Sequence, residues 1–464
     1  MVVTLDSPVR IGKAAIGALG TLALALGTLQ AVVEPSLPLL QHDLGIGPAE
    51  GSLIFITLLI TGAVVAPIAG KLGDRYGGKR VLVVLMATVS AGGLISSLAP
   101  NLPVLLLGQV LQGAMVGALP LSFILVRKHL PPGRTQVAVG LVSGLFTGGG
   151  LVGMLVAGPI AEHLSRHWMF AIPTTAIIAA TLLVSRLMPD DPPAASDAKI
   201  DWLGVILLSC TLVALVLGVM VVTGGGLPPL AIVAITVAVA ALATGWVAVE
   251  RRVASPMVDL RMLAMPAMWS SAVVTLLMSL GFGMAVYLIP QLLSLSANGY
   301  GFGADPSDIG LFLLPATIAG VVAGTIAGIA SRRFGTRAVI TVGAIATAAT
   351  LIALGSLHDA TWQLVVARAL IGFAVSVSAV ALLAGTATTV DAKDTGIATS
   401  LLVVTRVVGV ALGAQTGGAI LDASTDPRTG LPSETAFTTG FIIAGVIAAL
   451  SLLVLPAMKK GTKA

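Results

Sequence analysis

The sequence contains few charged residues, almost no cysteine and little histidine, and each shortage counts against a class of protein. Asp, Glu, Lys and Arg make up 10% of the 464 residues, whereas a soluble globular domain contains about 25%. The single cysteine, Cys210, excludes a disulfide framework within the chain. The five histidines are scattered without metal-ligand spacing, and no glycine-rich run continues as Gly-Lys-Ser or Gly-Lys-Thr. A metal-dependent membrane enzyme and an ATP-driven pump are therefore not indicated.

Long apolar runs are what the sequence has instead. Hydrophobic residues make up 56% of the chain, and a helix needs about 20 apolar residues to cross the hydrocarbon of a bilayer. The segments that meet this length are numbered spans 1 to 14. They are 14–40, 52–70, 81–99, 102–126, 136–161, 168–187, 202–222, 228–248, 267–292, 308–330, 338–356, 362–388, 395–420 and 438–457. The sequence therefore predicts an all-α polytopic membrane protein with fourteen transmembrane helices.

Span 1 follows Arg10 and Lys13 and shares some features with a secretory signal peptide. It is longer than the apolar region of a typical signal, it lacks a clear small-residue cleavage site, and many spans follow it. We therefore predict that it is retained as the first transmembrane helix.

The basic residues predict the orientation of the spans, because Lys and Arg are retained on the cytoplasmic side. With the N-terminus inside, only Arg166 and Arg428 of the 25 basic residues fall in outer loops. Arg368 and Arg406 fall within spans. One missed or invented span would move every later loop to the other side and destroy this bias. Both termini are therefore predicted to be cytoplasmic.

A short glycine-rich and basic segment occurs twice, at equivalent positions. The first copy runs from Gly70 to Arg80 between spans 2 and 3, and the second from Gly328 to Arg337 between spans 10 and 11. Equivalent loops in two halves indicate a duplicated unit. In each copy the glycines allow a tight turn, and the basic residues hold the loop on the cytoplasmic side.

The first copy resembles the signature of the major facilitator superfamily, G-x-L-x-D-R-x-G-x-[KR]-[KR], at every defined position. This resemblance implies two six-helix bundles, and fourteen spans are similar to the fourteen-helix drug:proton antiporter branch of that family. The implied units are residues 1–187 (N-terminal bundle), 188–265 (a linker and two inserted helices, spans 7 and 8) and 266–464 (C-terminal bundle). The implied cytoplasmic gate residues are Gly70, Asp74, Arg75, Gly77, Lys79, Arg80, Arg333 and Gly335.

Span 5 carries a second feature that is similar to antiporters of this family. Gly150, Gly158 and Pro159 belong to a glycine-rich stretch that ends in Gly-Pro. Glycines allow a helix to pack closely against its neighbour, and a proline within the helix allows a bend. The family's next two glycines are replaced by Ala161 and Glu162, so the resemblance is partial.

Two other positions depart from the family pattern. Gln109 in span 4 stands where the family has an arginine linked with proton coupling, and Leu29 in span 1 stands where the branch has an aspartate. These departures put the family's usual coupling route in doubt but leave the expected fold unchanged.

Glu34, in the outer part of span 1, is the only carboxylate well inside an apolar span. A charge near the bilayer centre costs at least about 2.5 kcal/mol, so we interpret Glu34 as a protonatable site facing a central cavity. The alternative is an interfacial carboxylate that reaches outer water. Arg406, near the middle of span 13, is the second coupling candidate: it could pair with Glu34, receive an anionic substrate group or serve as a structural cation. Arg368, near the outer end of span 12, is expected to extend outward in a structural role.

Polar and adaptable side chains in spans 1, 4 and 9 are the candidates for a substrate cavity. Amides can bond polar groups, and methionine adapts to apolar ligands of different shapes. The candidates are Gln30, Gln109, Gln112, Met284, Tyr287 and Gln291.

Together these features predict a proton-coupled secondary transporter that exports amphipathic drugs or related small molecules by alternating access. The alternative is a dedicated exporter of an endogenous metabolite or lipid without strict proton coupling, which Gln109 favours. The expected partners are a small amphipathic substrate, protons and the lipid bilayer, with no enzyme activity, cofactor, metal or nucleic acid. The expected location is the inner membrane of a bacterium.

Overall fold

The computed structural model of the protein describes residues 12–130, 132–190, 201–223, 228–253, 265–296, 299–389, 395–426 and 428–458. Their secondary structure is helical, apart from one isolated β-bridge between Thr425 and Pro432. Spans 1 to 6 are the helices Lys13–Ala31 with Val33–Leu44, Pro48–Tyr76, Gly78–Ser97, Leu102–Gln112 with Ala118–His129, Pro132–His163 and Arg166–Leu187. Spans 7 and 8 are Trp202–Thr223 and Pro229–Glu250. Spans 9 to 14 are Pro266–Ser294, Pro306–Phe334, Thr336–Leu354, Thr361–Thr389, Thr395–Ala423 and Glu434–Val454.

Thirteen helices of the described residues are long and apolar enough to cross a membrane. The remaining predicted span, span 7, is a 22-residue apolar helix, Trp202–Thr223. The prediction of an all-α polytopic membrane protein is therefore confirmed.

The two sets of six spans pack in the same pattern. In the N-terminal half (spans 1–6), span 1 packs on spans 5 and 6, span 3 packs on spans 4 and 6, and span 2 packs on span 4. In the C-terminal half (spans 9–14), span 9 packs on spans 13 and 14, span 11 packs on spans 12 and 14, and span 10 packs on span 12. Between the halves, span 2 contacts span 13 and span 5 contacts span 10, as a two-fold relation requires.

The duplicated loops have the same geometry in both halves. Gly77 alone separates span 2 from span 3, with φ 91° and ψ 133°, and Gly335 alone separates span 10 from span 11, with φ 86° and ψ 145°. A positive φ favours glycine because a side chain would collide with the backbone. The predicted tight turns are thus present at both glycines. The membrane face that carries these two loops is called the basic face, and the other is called the opposite face.

Two spans are interrupted. Span 1 divides at Val32, just before Pro35 and Pro38, and prolines weaken a helix because each removes a backbone donor. Span 4 contains a 3₁₀ segment, Gly113–Gly117, that the apolar pattern does not predict. A Cβ added at Gly113 would lie 2.4 Å from the Thr61 side chain, so close packing against span 2 accompanies this break.

Spans 7 and 8 pack on each other, and span 7 also touches spans 2 and 13. Span 8 exposes large apolar side chains along its length, among them Leu230, Val233 and Val237. In a bilayer such a surface contacts lipid. The inserted hairpin therefore lies beside one of the two contacts between the halves.

Candidate functional site

Among the described residues, the contacts between the two halves lie mainly towards the opposite face. A Cβ added at Gly158 in span 5 would lie 2.1 Å from the Ser307 nitrogen in span 10. A Cβ added at Gly310 in span 10 would lie 2.2 Å from the Met154 carbonyl oxygen in span 5. Backbones this close leave no room for a passage between the halves at this depth.

Glycines nearer the basic face have no such neighbours. Cβ atoms added at Gly70, Gly144 and Gly328 would meet no heavy atom within 4 Å. Gly70 and Gly328 lie in the two copies of the repeated loop segment, and Gly144 lies in the first half of span 5. The close glycine contacts across the halves are thus confined to the side towards the opposite face.

A buried hydrogen-bond network joins spans 1, 2 and 9 near the opposite face. Gln41 Nε2 donates to the Tyr287 hydroxyl at 2.8 Å, and Gln291 Nε2 donates to Gln41 Oε1 at 2.7 Å. The Tyr287 hydroxyl donates in turn to the Pro48 carbonyl oxygen. Tyr287 and Gln291, predicted to line a substrate cavity, are buried here in the contact between the halves.

A second polar contact joins spans 2 and 13. The Ser52 hydroxyl lies 2.8 Å from Gln415 Oε1, and both residues are fully buried. A buried polar group without a hydrogen-bond partner is costly. Each of these hydrogen bonds therefore stabilises the closed conformation relative to an open conformation in which the two groups are separated and not hydrated.

Glu34 and Arg368 form an ion pair between the halves, deeper than these networks. Arg368 Nη2 donates to Glu34 Oε1 at 2.7 Å, and the two side chains are 6% and 13% exposed. The Arg368 guanidinium also lies over the Phe282 ring of span 9, 5.0 Å from its centroid. Arg368 therefore does not extend outward, as the sequence suggested, but is buried between an anion and an aromatic face.

The energetics of this pair depend on its complete geometry. Removing one partner from a buried ion pair leaves an uncompensated charge, at a cost of about 3–5 kcal/mol. Arg368 Nε is buried without a hydrogen-bond partner in the described structure, so the guanidinium is only partly satisfied. An arrangement of this kind is held by one strong bond and changes when the charge of Glu34 changes.

Arg406 is not the partner of Glu34. It lies on the same face of span 13 as Gly409 and Gly413, whose neighbours are backbone atoms of span 9. The side chain is partly buried and makes no hydrogen bond or ion pair with any other described residue. Gln30, one turn before Glu34, is exposed.

Three other cavity candidates lie inside a helix bundle. Gln112 Nε2 donates to Ser96 Oγ at 2.7 Å, and Gln109 Nε2 lies 3.5 Å from the same oxygen. Both glutamines are fully buried between spans 3 and 4. Met284 is fully buried where span 9 meets Gly413 of span 13. In this conformation none of the three faces the space between the halves.

In span 5 the close packing involves glycines next to the predicted ones. Cβ atoms added at Gly149 and Gly153 would lie 2.0 Å and 2.5 Å from the carbonyl oxygens of Leu24 and Thr28 in span 1. An added Cβ at Gly150 would meet nothing within 4 Å. Gly158 contacts the C-terminal half, as described above. The helix continues through the exposed Pro159 to His163.

The loop residues of the basic face form few contacts in the described structure. Lys79 Nζ donates to Asp190 Oδ1 at 2.8 Å, and this bond lowers the pKa of the Asp190 carboxyl. Arg75 and Arg80 are exposed, and Arg333 lies against the neighbouring Phe334 ring. The Asp74 side chain lies outside the described part of the structure.

A surface cavity of about 440 Å³ lies elsewhere, on span 8 near the basic face. It is lined by Ala243, Thr244, Val247 and Ala248 of span 8, and by Arg251 and Arg252 just after its end. It has no connection with the ion pair between the halves.

Sequence reasoning missed Arg368, Phe282, Gln41, Ser52 and Gln415 as contact residues. Gln415 carries a usable signal, because an amide inside an apolar span needs a partner. Gln41 lies just beyond the predicted end of span 1 and carries none. Phe282 carries none, since aromatic residues are common in apolar helices. The pairing of Arg368 with Glu34 depends on how the halves meet, and local sequence does not encode that.

Comparison with known proteins identifies the family of this chain. The family model described as Major Facilitator Superfamily matches residues 19–301 and 271–464. An uncharacterized MFS-type transporter of Mycobacterium tuberculosis, Rv1877, is 28% identical over 437 residues, which cover 91% of this chain and 60% of that protein. The chain thus spans about 60% of the length of this relative.

Two relatives with named substrates match smaller parts of the chain. The uridine/deoxyuridine transporter of Lactococcus lactis is 29% identical and covers 74% of this chain and 72% of its own length. The tetracenomycin C resistance and export protein of Streptomyces glaucescens is 27% identical and covers 73% of this chain and 63% of its own length.

A solved structure shares the fold. The nucleoside transporter NupG (D323A mutant) superposes with a TM-score of 0.70 and covers 96% of this chain and 99% of its own, at 13% identity. The family match, the fold and the duplicated packing agree, and the chain belongs to the Major Facilitator Superfamily.

Proposed function

We propose that the chain is a secondary transporter that exports amphipathic small molecules by alternating access, driven by the entry of protons. The observation that carries this proposal is the Glu34–Arg368 ion pair between the halves. A carboxylate that holds two moving parts together changes both its charge and their attraction when it binds a proton.

The conformation supports alternating access. The halves touch near the opposite face, whereas Cβ atoms added at Gly70, Gly144 and Gly328, nearer the basic face, would meet no atom of the other half. Because basic loops are retained in the cytoplasm, we place the basic face inside and read this state as inward-facing. Both termini are then cytoplasmic, and the membrane is the inner membrane of a bacterium.

The ion pair provides the coupling step. In the inward-facing state the Arg368 guanidinium holds the Glu34 carboxylate at 2.7 Å between the halves. When the outer side opens, Glu34 separates from Arg368 and is exposed to the outer water. A proton from outside then binds Glu34, and the protonated carboxyl remains neutral until the pair can form again.

The same site favours a cationic amphiphile as substrate. The Arg368 guanidinium lies between the Glu34 carboxylate and the Phe282 ring, a place that suits a positive charge on an apolar body. A substrate cation that takes this place frees Arg368 and removes the attraction between the halves. Export of tetracenomycin C by one relative supports a drug-like substrate class.

The test uses purified protein in liposomes that contain a pH-sensitive dye under an imposed proton gradient. Cationic dyes, neutral drugs, lipophilic metabolites and uridine are added one at a time. We expect cationic amphiphiles to trigger proton movement, and Glu34→Gln to abolish it. Asp43→Asn removes a carboxylate from the exposed end of the same span and should leave the signal intact.

Other outcomes select another function. Substrate flux without proton movement would favour a metabolite exporter without strict coupling. Gln109 favours this alternative, because it stands where the family has an arginine linked with proton coupling and its Nε2 lies 3.5 Å from Ser96 Oγ. Uptake of uridine would favour the nucleoside transport named for the Lactococcus lactis relative. Proton movement that persists in Glu34→Gln would remove Glu34 from the mechanism.

A further inference from the structure

Two acidic residues outside the ion pair occupy equivalent places in the two halves. Glu162 lies in the last turn of span 5, four residues after Gly158, and Asp422 lies in the last turn of span 13, four residues after Gly418. The correspondence extends along both helices. Gly149, Gly153, Gly158 and Glu162 are followed 260 residues later by Gly409, Gly413, Gly418 and Asp422.

Glu162 lies at the start of a helix in the other half. Its Oε1 accepts a hydrogen bond from the Ser307 backbone N–H at 3.1 Å, in the first turn of span 10. Gly158 makes this approach possible, because an added Cβ would lie 2.1 Å from the same nitrogen. Pro306 occupies the first helical position, so Ser307 carries the first free N–H of the helix.

Asp422 lies at the start of span 2, but it makes a different contact. Asp422 Oδ1 would lie 2.9 Å from a Cβ added at Gly47, the residue before the first helical position, Pro48. The Gly47 N–H donates instead to Glu50 at 3.2 Å. The Asp422 carboxylate therefore lies beside a like charge and accepts no hydrogen bond from span 2 among the described contacts.

A carboxylate at a helix N-terminus is stabilised by free N–H groups and by the positive end of the helix dipole. Here the carboxylate and the helix belong to different halves. The stabilisation therefore exists only while the halves touch at the opposite face, and it is lost when that face opens.

We propose that Glu162 is a positioning residue that stabilises the state closed at the opposite face, by holding the N-terminus of span 10 in the other half. This proposal rests on the alternating access proposed above. It assigns a role to Glu162, which stands where the family pattern has glycine.

The experiment measures how often the opposite face opens. In a Cys210→Ser background, Ser52→Cys places a thiol that is fully buried between spans 2 and 13. The rate of maleimide labelling of purified protein is compared with that of denatured protein. We expect Glu162→Gln to raise this relative rate about two- to fivefold, the range for one carboxylate at a helix N-terminus. Asp422→Asn breaks no hydrogen bond between the halves and should not raise it.

The control is Asp43→Asn, because Asp43 pairs only with His42 of its own helix among the described residues. It should leave the labelling rate unchanged. Glu162→Ala removes the acceptor oxygen as well as the charge and should raise the labelling rate at least as much as Glu162→Gln. This second variant tests the proposal even if Glu162→Gln fails to fold.

Equal labelling rates in the parent protein, in Glu162→Gln and in Glu162→Ala would overturn the proposal. Labelling reports opening and not substrate movement. Loss of coupled transport would therefore not contradict the labelling result. Unchanged labelling in the Glu162 variants would likewise not contradict the transport assay.

Discussion

Glu34 and Arg368 are 334 positions apart in the chain, yet their side chains meet at 2.7 Å. Taken singly, each is an expensive residue for an apolar helix. Taken together, they neutralise each other, and Phe282 covers the guanidinium from a third span. The sequence identified Glu34 as exceptional because it is an isolated carboxylate. It did not identify the partner, because Arg406 lies nearer the middle of its helix and seemed the better candidate.

The pair can be tested by its effect on stability. Glu34→Gln or Arg368→Gln alone should each lower the free energy of unfolding by about 3–5 kcal/mol, because one charge stays buried without its counter-ion. The double variant, which buries neither charge, should recover much of that loss.

Thermal unfolding in detergent measures this cycle for the four proteins. The Tm of the double variant should exceed that of Arg368→Gln. Strictly additive losses would mean that the two side chains do not interact in the membrane protein as purified.

At the scale of single helices, the glycines of span 5 contact different neighbours. Gly149 and Gly153 meet backbone oxygens of span 1, Gly158 meets span 10, and Gly150 faces open space. The sequence predicted small-residue packing for the whole stretch. It could not say which glycine faces which neighbour, because that depends on the rotation of the helix within the bundle.

A matched pair of substitutions tests this division. Gly149→Ala should destabilise the protein by about 1–3 kcal/mol, the cost of overpacking, since the new Cβ would lie 2.0 Å from the Leu24 carbonyl oxygen. Gly150→Ala should be neutral or stabilise the helix by up to about 1 kcal/mol, because alanine favours the helical conformation.

The Tm and the yield of monodisperse protein report on both variants. Similar losses at the two positions would show that helix flexibility, and not contact with span 1, is what these glycines supply.

At the scale of the whole molecule, the two halves touch through spans 2 and 13 and through spans 5 and 10, related by the duplication. The contacts near the opposite face make the described state a closed one on that side. A transporter that alternates must lose these contacts in every cycle.

A disulfide across one contact should therefore stop transport. A Cβ added at Gly418 would lie 3.1 Å from the Ser52 Cβ, somewhat below the spacing of about 3.5–4.5 Å in disulfides. Ser52→Cys with Gly418→Cys, in a Cys210→Ser background, should crosslink under oxidation and hold the opposite face closed.

We expect at least a tenfold loss of substrate flux on oxidation and its recovery with reductant, while each single cysteine variant stays insensitive to oxidant. Full flux through the crosslinked protein would mean that this face does not open during transport.

The sequence alone determined the membrane class, the number of spans and the duplicated loops. Apolar length decides whether a helix crosses a bilayer, and glycine at Gly77 and Gly335 decides where the chain can turn. These properties are local, so a short window of sequence contains them. The 3₁₀ segment at Gly113–Gly117 was missed because its cause, packing against Thr61, is not local.

Only the tertiary structure decided which polar residues meet. It moved Gln109 and Gln112 into the contact between spans 3 and 4, paired Glu34 with Arg368, and brought Glu162 to the N-terminus of span 10. Each of these contacts depends on the rotation of a helix and on how one half docks on the other. In a bilayer, the rotation of an apolar helix and the docking of the halves are set by side-chain packing across the bundle. The sequence of one span does not encode that packing by itself.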